Sequence, residues 1–395
     1  MKNILVINSG SSSLKFQLIK MPAEEVLASG MVERIGLLEA KLHYKTGEHA
    51  VSKTIDAPNH EVALKEITKL LMDTEKGVIE EASDISAIGH RVVHGGDTFS
   101  DTIIIDDKVK SEIKRLFSLA PLHNPPNLNG IEVAESIFPG AVQIAVFDTA
   151  FHRSIPSKAS QFAIPVKLSQ DEKIQLYGFH GTSHKYVTEK AIKYLEKENS
   201  KLISIHLGNG CSITAVENGK SIDHSLGFGP VNGLIMGTRS GDIDQSVIFY
   251  MIEHLGYTAQ EVSDILHNKS GMLGLTGYSD LREIEDQAAN GNRQCKLALE
   301  MNAYRIKKYI GGYAAAMNGL DAIIFTAGIG ENSSVIRELV CREMEFFRIK
   351  LDAEKNSIRS KEIREINLQD SEVKVLVIPT NEELEIAKQS FELIS

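Results

Sequence analysis

The segment Asn8-Ser9-Gly10-Ser11-Ser12-Ser13-Leu14-Lys15 combines a carboxamide, three successive hydroxyls, the backbone N–H groups of a tight turn and one ammonium, a concavity suited to phosphate. Small polar residues also fill ordinary hairpin turns, so two readings stand at this point. A second copy lies further along the chain. Residues 202–216, L-I-S-I-H-L-G-N-G-C-S-I-T-A-V, repeat an apolar strand, a polar residue, a glycine turn and an alternating strand, with His206 against Asn8 and Gly208 against Gly10. Two such hairpins predict a duplicated domain whose turns serve a shared cleft. The plainer alternative is that glycine hairpins resemble one another.

Charged and imidazole side chains mark the other stretches. In G-H-R-V-V-H-G-G-D, residues 89–97, Arg91 with His90 and His94 follows a short apolar run at 85–88, and the carboxyl ends of strands are where open α/β sheets receive ligands. Lone histidines are more often structural, and that reading stands beside the catalytic one. His123 lies between Pro121 and Pro125 in a stiff loop, 120–129, ahead of a helix expected from about Leu128, which suits a held donor. Asp148 closes an apolar strand at 142–147. Positioning a metal or water and capping a helix are equally open there. His180, in Y-G-F-H-G-T-S-H at 177–184, precedes a helix expected to be capped by Thr182 or Ser183, beside N–H groups that attract anions. Residues 225–244 hold five glycines, one proline and a single strong cation, Arg239, a shaped loop of the kind that is usually functional. A third glycine stretch, A-G-I-G-E-N at 327–332, reads as a loop before a helix from about Val335. Glu382 and Glu383 open the last helix and suit its dipole whether or not one of them holds a metal.

These groups need strand ends to present them. Ile4-Leu5-Val6-Ile7 is a buried strand, and Leu14, Phe16 and Leu18 alternating with Lys15 and Gln17 make a second strand, not a helix. A dinucleotide fold or a P-loop follows its glycines with a helix, and neither G-x-G-x-x-G nor G-x-x-x-x-G-K-[ST] occurs. At 395 residues the chain is too long for one ordinary core and fits two domains, the first expected to stop near Ala150. Its 42% of hydrophobic residues suffices for packed cores, and no apolar run approaches a membrane span. Met1-Lys2-Asn3 leads directly into the first strand, leaving no room for a signal peptide. Cys211, Cys295 and Cys341 are far apart and without C-x-x-C spacing, which predicts a reducing compartment and neither a zinc site nor a disulfide frame. Cys211 has no recognisable base beside it and reads as a packing residue. The net charge of −10, without a basic stripe, argues against a nucleic-acid partner. Any anion site must then be built locally.

Taken together, N-S-G-S-S-S-L-K at 8–15, G-H-R-V-V-H-G-G at 89–96, F-D-T-A-F-H at 147–152, G-F-H-G-T-S-H, H-L-G-N-G, M-G-T-R-S-G-D-I-D, F-T-A-G-I-G-E-N at 325–332 and P-T-N-E-E resemble the acetate kinase family over nearly the whole chain, within the actin, Hsp70 and sugar-kinase superfamily. The resemblance implies an α/β fold of two duplicated ribonuclease H-like domains around a nucleotide cleft. Residues 1–150 with the C-terminal helix 382–395 would form the N-terminal domain and 151–381 the C-terminal, nucleotide-binding one. It implies reversible transfer of the γ-phosphoryl group of ATP to acetate, giving acetyl phosphate and ADP, by direct in-line displacement.

Carried over position by position, Asn8 and Glu382 would help hold Mg²⁺, for which Mn²⁺ can substitute, and Lys15 would approach nucleotide phosphate. His206, Leu207, Gly208, Asn209 and Gly210 would follow the phosphates. Asp280, Leu281 and Arg282, with Gly328, Ile329, Gly330, Glu331 and Asn332, would surround the adenosine. Arg91 and Arg239 would bind the carboxylate and the migrating phosphoryl group, with His180 on its equatorial oxygens, His123 in support and Asp148 acting on the metal or the substrate geometry. A cytoplasmic homodimer is implied likewise, with no membrane partner.

The chemistry suits that inventory, because a carboxylic acid of pKa ~4 to 5 is already ionised at neutral pH and needs no strong general base. The acyl pocket would be Val93, Leu122, Phe179 and Pro230. Propionate-preferring relatives tend to carry a smaller residue where Val93 stands, which favours acetate over propionate or butyrate. The sequence departs from the family pattern at His224 and Gly229, where threonine is usual, at Val231-Asn232, where leucine-glutamate is usual, and at Gln245, where proline is usual. A rival of a different class is an ATP-driven switch of the actin or Hsp70 kind, which has no use for Arg91 and Arg239 together.

Overall fold

β1 (Lys2–Ser9) buries Ile4, Leu5, Val6 and Ile7, so both its faces are covered, as in a central strand. It pairs antiparallel with β2 (Ser13–Met21), placing Asn8 opposite Lys15 at the mouth of the turn. The computed structural model describes residues 1–47 and 49–395. They divide into two units, one of Met1–Phe151 with Asn381–Ser395 and one of His152–Thr380.

In the first unit β3 (Glu25–Glu33), β4 (Ala40–Thr46) and β5 (Ala50–Ile55) extend the meander, and β6 (Ile85–Val92), β7 (Ile103–Ile104) and β8 (Val142–Phe147) complete an eight-stranded sheet of order β5-β4-β3-β2-β1-β6-β8-β7. β6 runs parallel to β1, and β8 parallel to β6. Leu5, Ile7, Leu14, Phe16 and Leu18 point to one face and pack with the helices His60–Leu71 and Asn124–Ile137. The C-terminal helix, Glu382–Ile394, covers the opposite face. It approaches so closely that a Cβ on Gly89 would lie 2.6 Å from Ile386 and Ser390, which is why the strand carries glycine there.

The second unit repeats the plan. Its strands β9 (Lys201–Leu207), β10 (Cys211–Glu217), β11 (Lys220–His224), β12 (Ala322–Thr326), β13 (Arg364–Glu365) and β14 (Lys374–Val377) form a six-stranded sheet of order β11-β10-β9-β12-β14-β13. The segment β11-β10-β9-β12-β14 matches β3-β2-β1-β6-β8 in order and in direction, antiparallel across the hairpins and parallel thereafter. The two-hairpin reading of the sequence therefore holds as a duplicated α/β sheet. Among the described residues no helix is long and apolar enough to cross a membrane.

Several local expectations are corrected. β6 runs through Arg91 to Val92 and does not stop at Ile88. The helix expected from Leu128 begins at Asn124, because Pro125 and Pro126 sit in its first turn, where no N–H is needed. His180 is itself the N-terminal cap of the helix Gly181–Leu195, so Thr182 and Ser183 lie inside the first turn. The stretch read as a third glycine loop is a short helix, Ala327–Asn332. There Gly330 lets the helix lie against its strand, its Cβ position being 3.3 Å from the Phe325 backbone.

Candidate active site

In the first unit two asparagines on one helix fix the strand ends. Asn127 donates to the Ser9 carbonyl at 2.7 Å and accepts from the Val93 N–H at 3.0 Å, while Asn124 makes both bonds to the backbone of His94. A Cβ on Gly130 would lie 2.7 Å from Ser9, so the same helix presses on the first turn. His60 Nε2 lies 2.7 Å from the Gly10 carbonyl and holds the turn from another side.

Arg91 and Asp148 meet here. The guanidinium donates through Nε at 3.1 and 3.0 Å to the two carboxylate oxygens and through Nη2 at 2.5 Å, and Asp148 is 1% exposed. Burial works against the Arg91 charge, but Asp148, Glu382 and Glu383 more than reverse it and raise its pKa. Lys15 is ion-paired with Glu383. Every cation of this cluster thus faces a carboxylate, and one carboxylate is left over. Burial, with Asp148 and Glu383 nearby, pushes the Glu382 carboxyl above its ordinary range. Arg91 and Lys15 oppose that shift without cancelling it, so a further cation would stabilise the Glu382 charge. His90 and His94 are structural: His90 bonds Gln143 at 2.7 Å, His94 Nδ1 accepts from the Gly96 N–H, and burial lowers each to about 4. His123 is half-buried at the head of its helix, Val93 is buried, and Leu122 is 73% exposed.

In the second unit the Gly208–Gly210 turn, His180, His206 and Arg239 come together. His180 and His206 stack with ring centroids 4.4 Å apart and planes 15° from parallel. A Cβ on Gly210 would lie 3.4 Å from His180 Nε2 and 3.8 Å from Arg239 Nη1, so glycine opens the turn toward both. His180 Nδ1 pairs with Ser212 Oγ at 2.9 Å, and His206 Nδ1 with Ser183 Oγ at 2.8 Å, a hydroxyl that also meets Thr380. Arg239 donates to the Pro230 carbonyl at 3.0 Å and has no carboxylate partner among the described residues. Burial lowers its pKa, and only the neutral thiol of Cys211 stands near as an acid. That thiol is pushed up to about 12 by burial, so Cys211 is a packing residue as expected.

Beside the turn lies a cavity of about 310 Å³ lined by Leu207, Gly208, Asn209, Asp280, Leu281 and Ile329 among others. Asp280 caps the helix Leu281–Ala289 and pairs with Arg282, whose side chain is 88% exposed and outside the cavity lining. Of the expected adenosine set, Gly328, Gly330, Glu331 and Asn332 sit on the short helix behind Ile329, with Glu331 accepting from the Thr380 N–H and Asn332 bonding Gly328. Phe179 is 4% exposed, behind His180. His152 and His224 bond the Phe179 backbone, and nothing in the sequence marks either as a site residue beyond the departure from the family pattern at 224.

Known proteins match this chain throughout. The sequence model described as the Acetokinase family covers residues 3–388. The acetate kinase of Flavobacterium johnsoniae is 61% identical over 391 residues, 99% of each chain, and that of Thermotoga maritima 51% identical over 399 residues, covering 99% of this chain and 98% of its own. The crystal structure of Porphyromonas gingivalis acetate kinase superposes with a TM-score of 0.96 at 43% identity over the whole of both chains. A propionate kinase from Francisella tularensis superposes with a TM-score of 0.93 at 42% identity, covering 99% of this chain and 100% of its own. Two duplicated sheets, the conserved order of their strands and matches of this length agree: the chain belongs to the acetokinase family.

Proposed function

We propose that the protein transfers the γ-phosphoryl group of ATP to acetate, reversibly, forming acetyl phosphate and ADP. The observation that carries this is the un-neutralised guanidinium of Arg239 against an open glycine turn, flanked by two stacked imidazoles and a nucleoside-sized cavity. Arg239 binds the transferring phosphoryl, whose charge spreads over its equatorial oxygens, and His180 donates to one of them. His206 through Gly210 follow the nucleotide phosphates, and the cavity with Asp280, Leu281 and Ile329 takes the adenosine. Arg91 orients the acetate carboxylate, with His123 in support. Asp148 is engaged by Arg91 through both oxygens, which suits an orienting carboxylate; the ionised acceptor needs no general base.

Asn8 and Glu382 are oxygen donors in a cluster with a surplus of negative charge, and Mg²⁺ binds through one or two carboxylates plus substrate phosphate oxygens. They fit that ion, and Mn²⁺ in its place. When bound, it neutralises phosphate charge. The acidic cluster of the first unit therefore suits a cation, while Arg91 there and Arg239 in the second unit suit the anionic substrates.

Acetate and propionate kinases superpose almost equally well, so the acyl preference rests on Val93, whose bulk favours acetate. The helix Gln245–Glu253 has no buried residue and exposes Val247, Phe249, Tyr250 and Ile252 around its circumference, apolar surface suited to a second copy of the chain, so the protein works as a homodimer. Free, buried cysteines suit the cytoplasm. A hydroxamate assay for acyl phosphate, with and without acetate, tests the reading. ATP turnover without acetyl hydroxamate would instead favour the switch of the actin or Hsp70 kind.

A further inference from the structure

We infer that His224 is a positioning residue for His180, acting through the backbone of Phe179. The inference rests on the reading of His180 as a group that touches the transferring phosphoryl. Both backbone polar groups of Phe179 end on buried imidazoles. Its N–H donates to His224 Nε2 at 3.1 Å, and its carbonyl accepts from His152 Nε2 at 3.0 Å. These bonds determine both tautomers. A ring nitrogen that accepts from an N–H carries no proton, so His224 is protonated at Nδ1, which donates to Thr214 Oγ1 at 2.6 Å. A ring nitrogen facing a carbonyl must donate, so His152 is protonated at Nε2, and its Nδ1 accepts from Ser221 Oγ at 2.9 Å. Burial among other imidazoles keeps His224 neutral, and its lone pair stays available.

The segment so held is one that local preference would not hold. Gly178 and His180, on either side of Phe179, are left-handed at φ of 78° and 56°, and His180 has a Cβ that disfavours that region. A side chain at 178 is excluded too, since its Cβ would lie 2.6 Å from the His152 ring. The rings of His152 and His224 are 4.0 Å apart, centroid to centroid, and close on Phe179 as a pair. His224 ends β11 opposite Thr214 of β10, so the sheet itself sets where the pair stands. A threonine hydroxyl at 224 would stop two bonds short of the imidazole Nε2. The departure from the family pattern there thus creates a hydrogen bond that the usual residue cannot make at the same point.

The test compares four proteins: wild type, His180→Ala, His224→Phe, which keeps a ring but removes the acceptor, and His224→Gln, whose amide oxygen reaches the Nε2 position. Acetyl phosphate formation should fall about thirtyfold in kcat with His224→Phe, with KM for ATP within about twofold, and recover to within about threefold with His224→Gln, the scale expected of a misplaced catalytic group. In a His180→Ala background His224→Phe should change nothing further. A His224→Phe enzyme as active as wild type, or one losing the same factor in both backgrounds, overturns the inference. If His180→Ala is itself fully active, the reading of His180 falls and this inference with it. Loss with His180→Ala but not with His224→Phe sinks this inference alone. Thermal unfolding checks that each variant folds. Should His224→Phe not fold, ¹⁵N-imidazole spectra of the wild-type protein, assigned against His224→Gln, decide: Nδ1–H is expected, and Nε2–H overturns the proposal.

Discussion

At the ends of β6 and β8 the first half of the duplicated fold places Arg91 and Asp148, a guanidinium locked onto a carboxylate. At the ends of the matching strands β12 and β14 the second half places Thr326 and Ile378, a hydroxyl bonded to a carbonyl at 2.6 Å. The hairpins differ in the same sense, with Lys15 and its acidic partner in one and His206 bonded to a serine hydroxyl in the other. Duplication has preserved where strand ends lie while leaving their charge free to diverge. The first half became a set of compensated charges with one carboxylate in excess. The second became a hydrogen-bonding surface around an arginine with no carboxylate partner among the described residues.

That contrast can be broken by experiment. Arg239→Ala removes the site's guanidinium that has no carboxylate partner among the described residues, and should cost roughly 10³-fold or more in kcat/KM for acetyl phosphate formation. It should leave the melting temperature unchanged or higher, because an unpaired, partly buried charge is lost. Arg91→Ala should behave otherwise. It breaks the ion pair with the buried Asp148 carboxylate, and about 3 to 5 kcal/mol of stability should disappear together with activity, read by denaturant unfolding. If the two variants unfold alike, the distinction between a paired and an unpaired half fails.

Asp148→Asn keeps the shape and removes the charge, and should shift the Mg²⁺ dependence of turnover as well as its rate. An unaltered Mg²⁺ response would separate Asp148 from the cation-binding half. Val93→Ala should move the acetate to propionate ratio toward propionate by about tenfold, the scale of one methylene in an apolar pocket. An unmoved ratio would take Val93 out of the acyl pocket.

Acid is the condition in which the halves should resemble each other. Burial depresses His90 and His94 in the first half to about 4 and holds His184 and His224 in the second well below the ordinary value. Such groups bind protons more readily when unfolded. Their contribution is therefore complete above about pH 6.5 and is lost as pH falls toward the folded values, roughly 1 kcal/mol for each histidine by pH 5.5. Thermal unfolding between pH 7 and 5 should show the decline, with a shallower slope in His94→Asn.

What the sequence made legible was local. The period of two in Leu14, Phe16 and Leu18 betrayed a strand, and the repeat of that pattern at 202–216 betrayed a second sheet. Each signal is carried by residues that are close together in the chain. Arg91 and Asp148 were each marked as strand-end residues, yet nothing in their spacing said that one would absorb the charge of the other, since parallel pairing across β6 and β8 decides it. The helix Ala327–Asn332 was hidden because Gly328 and Gly330 are poor helix formers in isolation; close packing against β12 overrides that preference. The Phe179 clamp was hidden for a third reason. It joins side chains at 152 and 224 to a backbone segment at 178–180, and backbone hydrogen bonds leave no mark on residue type.

The C-terminal helix bears on how the protein is made. Residues 381–395 belong to the first unit and cover one face of its sheet, with Glu382 and Glu383 at the helix head. On the ribosome, β1 through β8 are made before the helix that covers that side of their sheet. A chain cut before residue 381 would carry that sheet with an open apolar flank and neither glutamate.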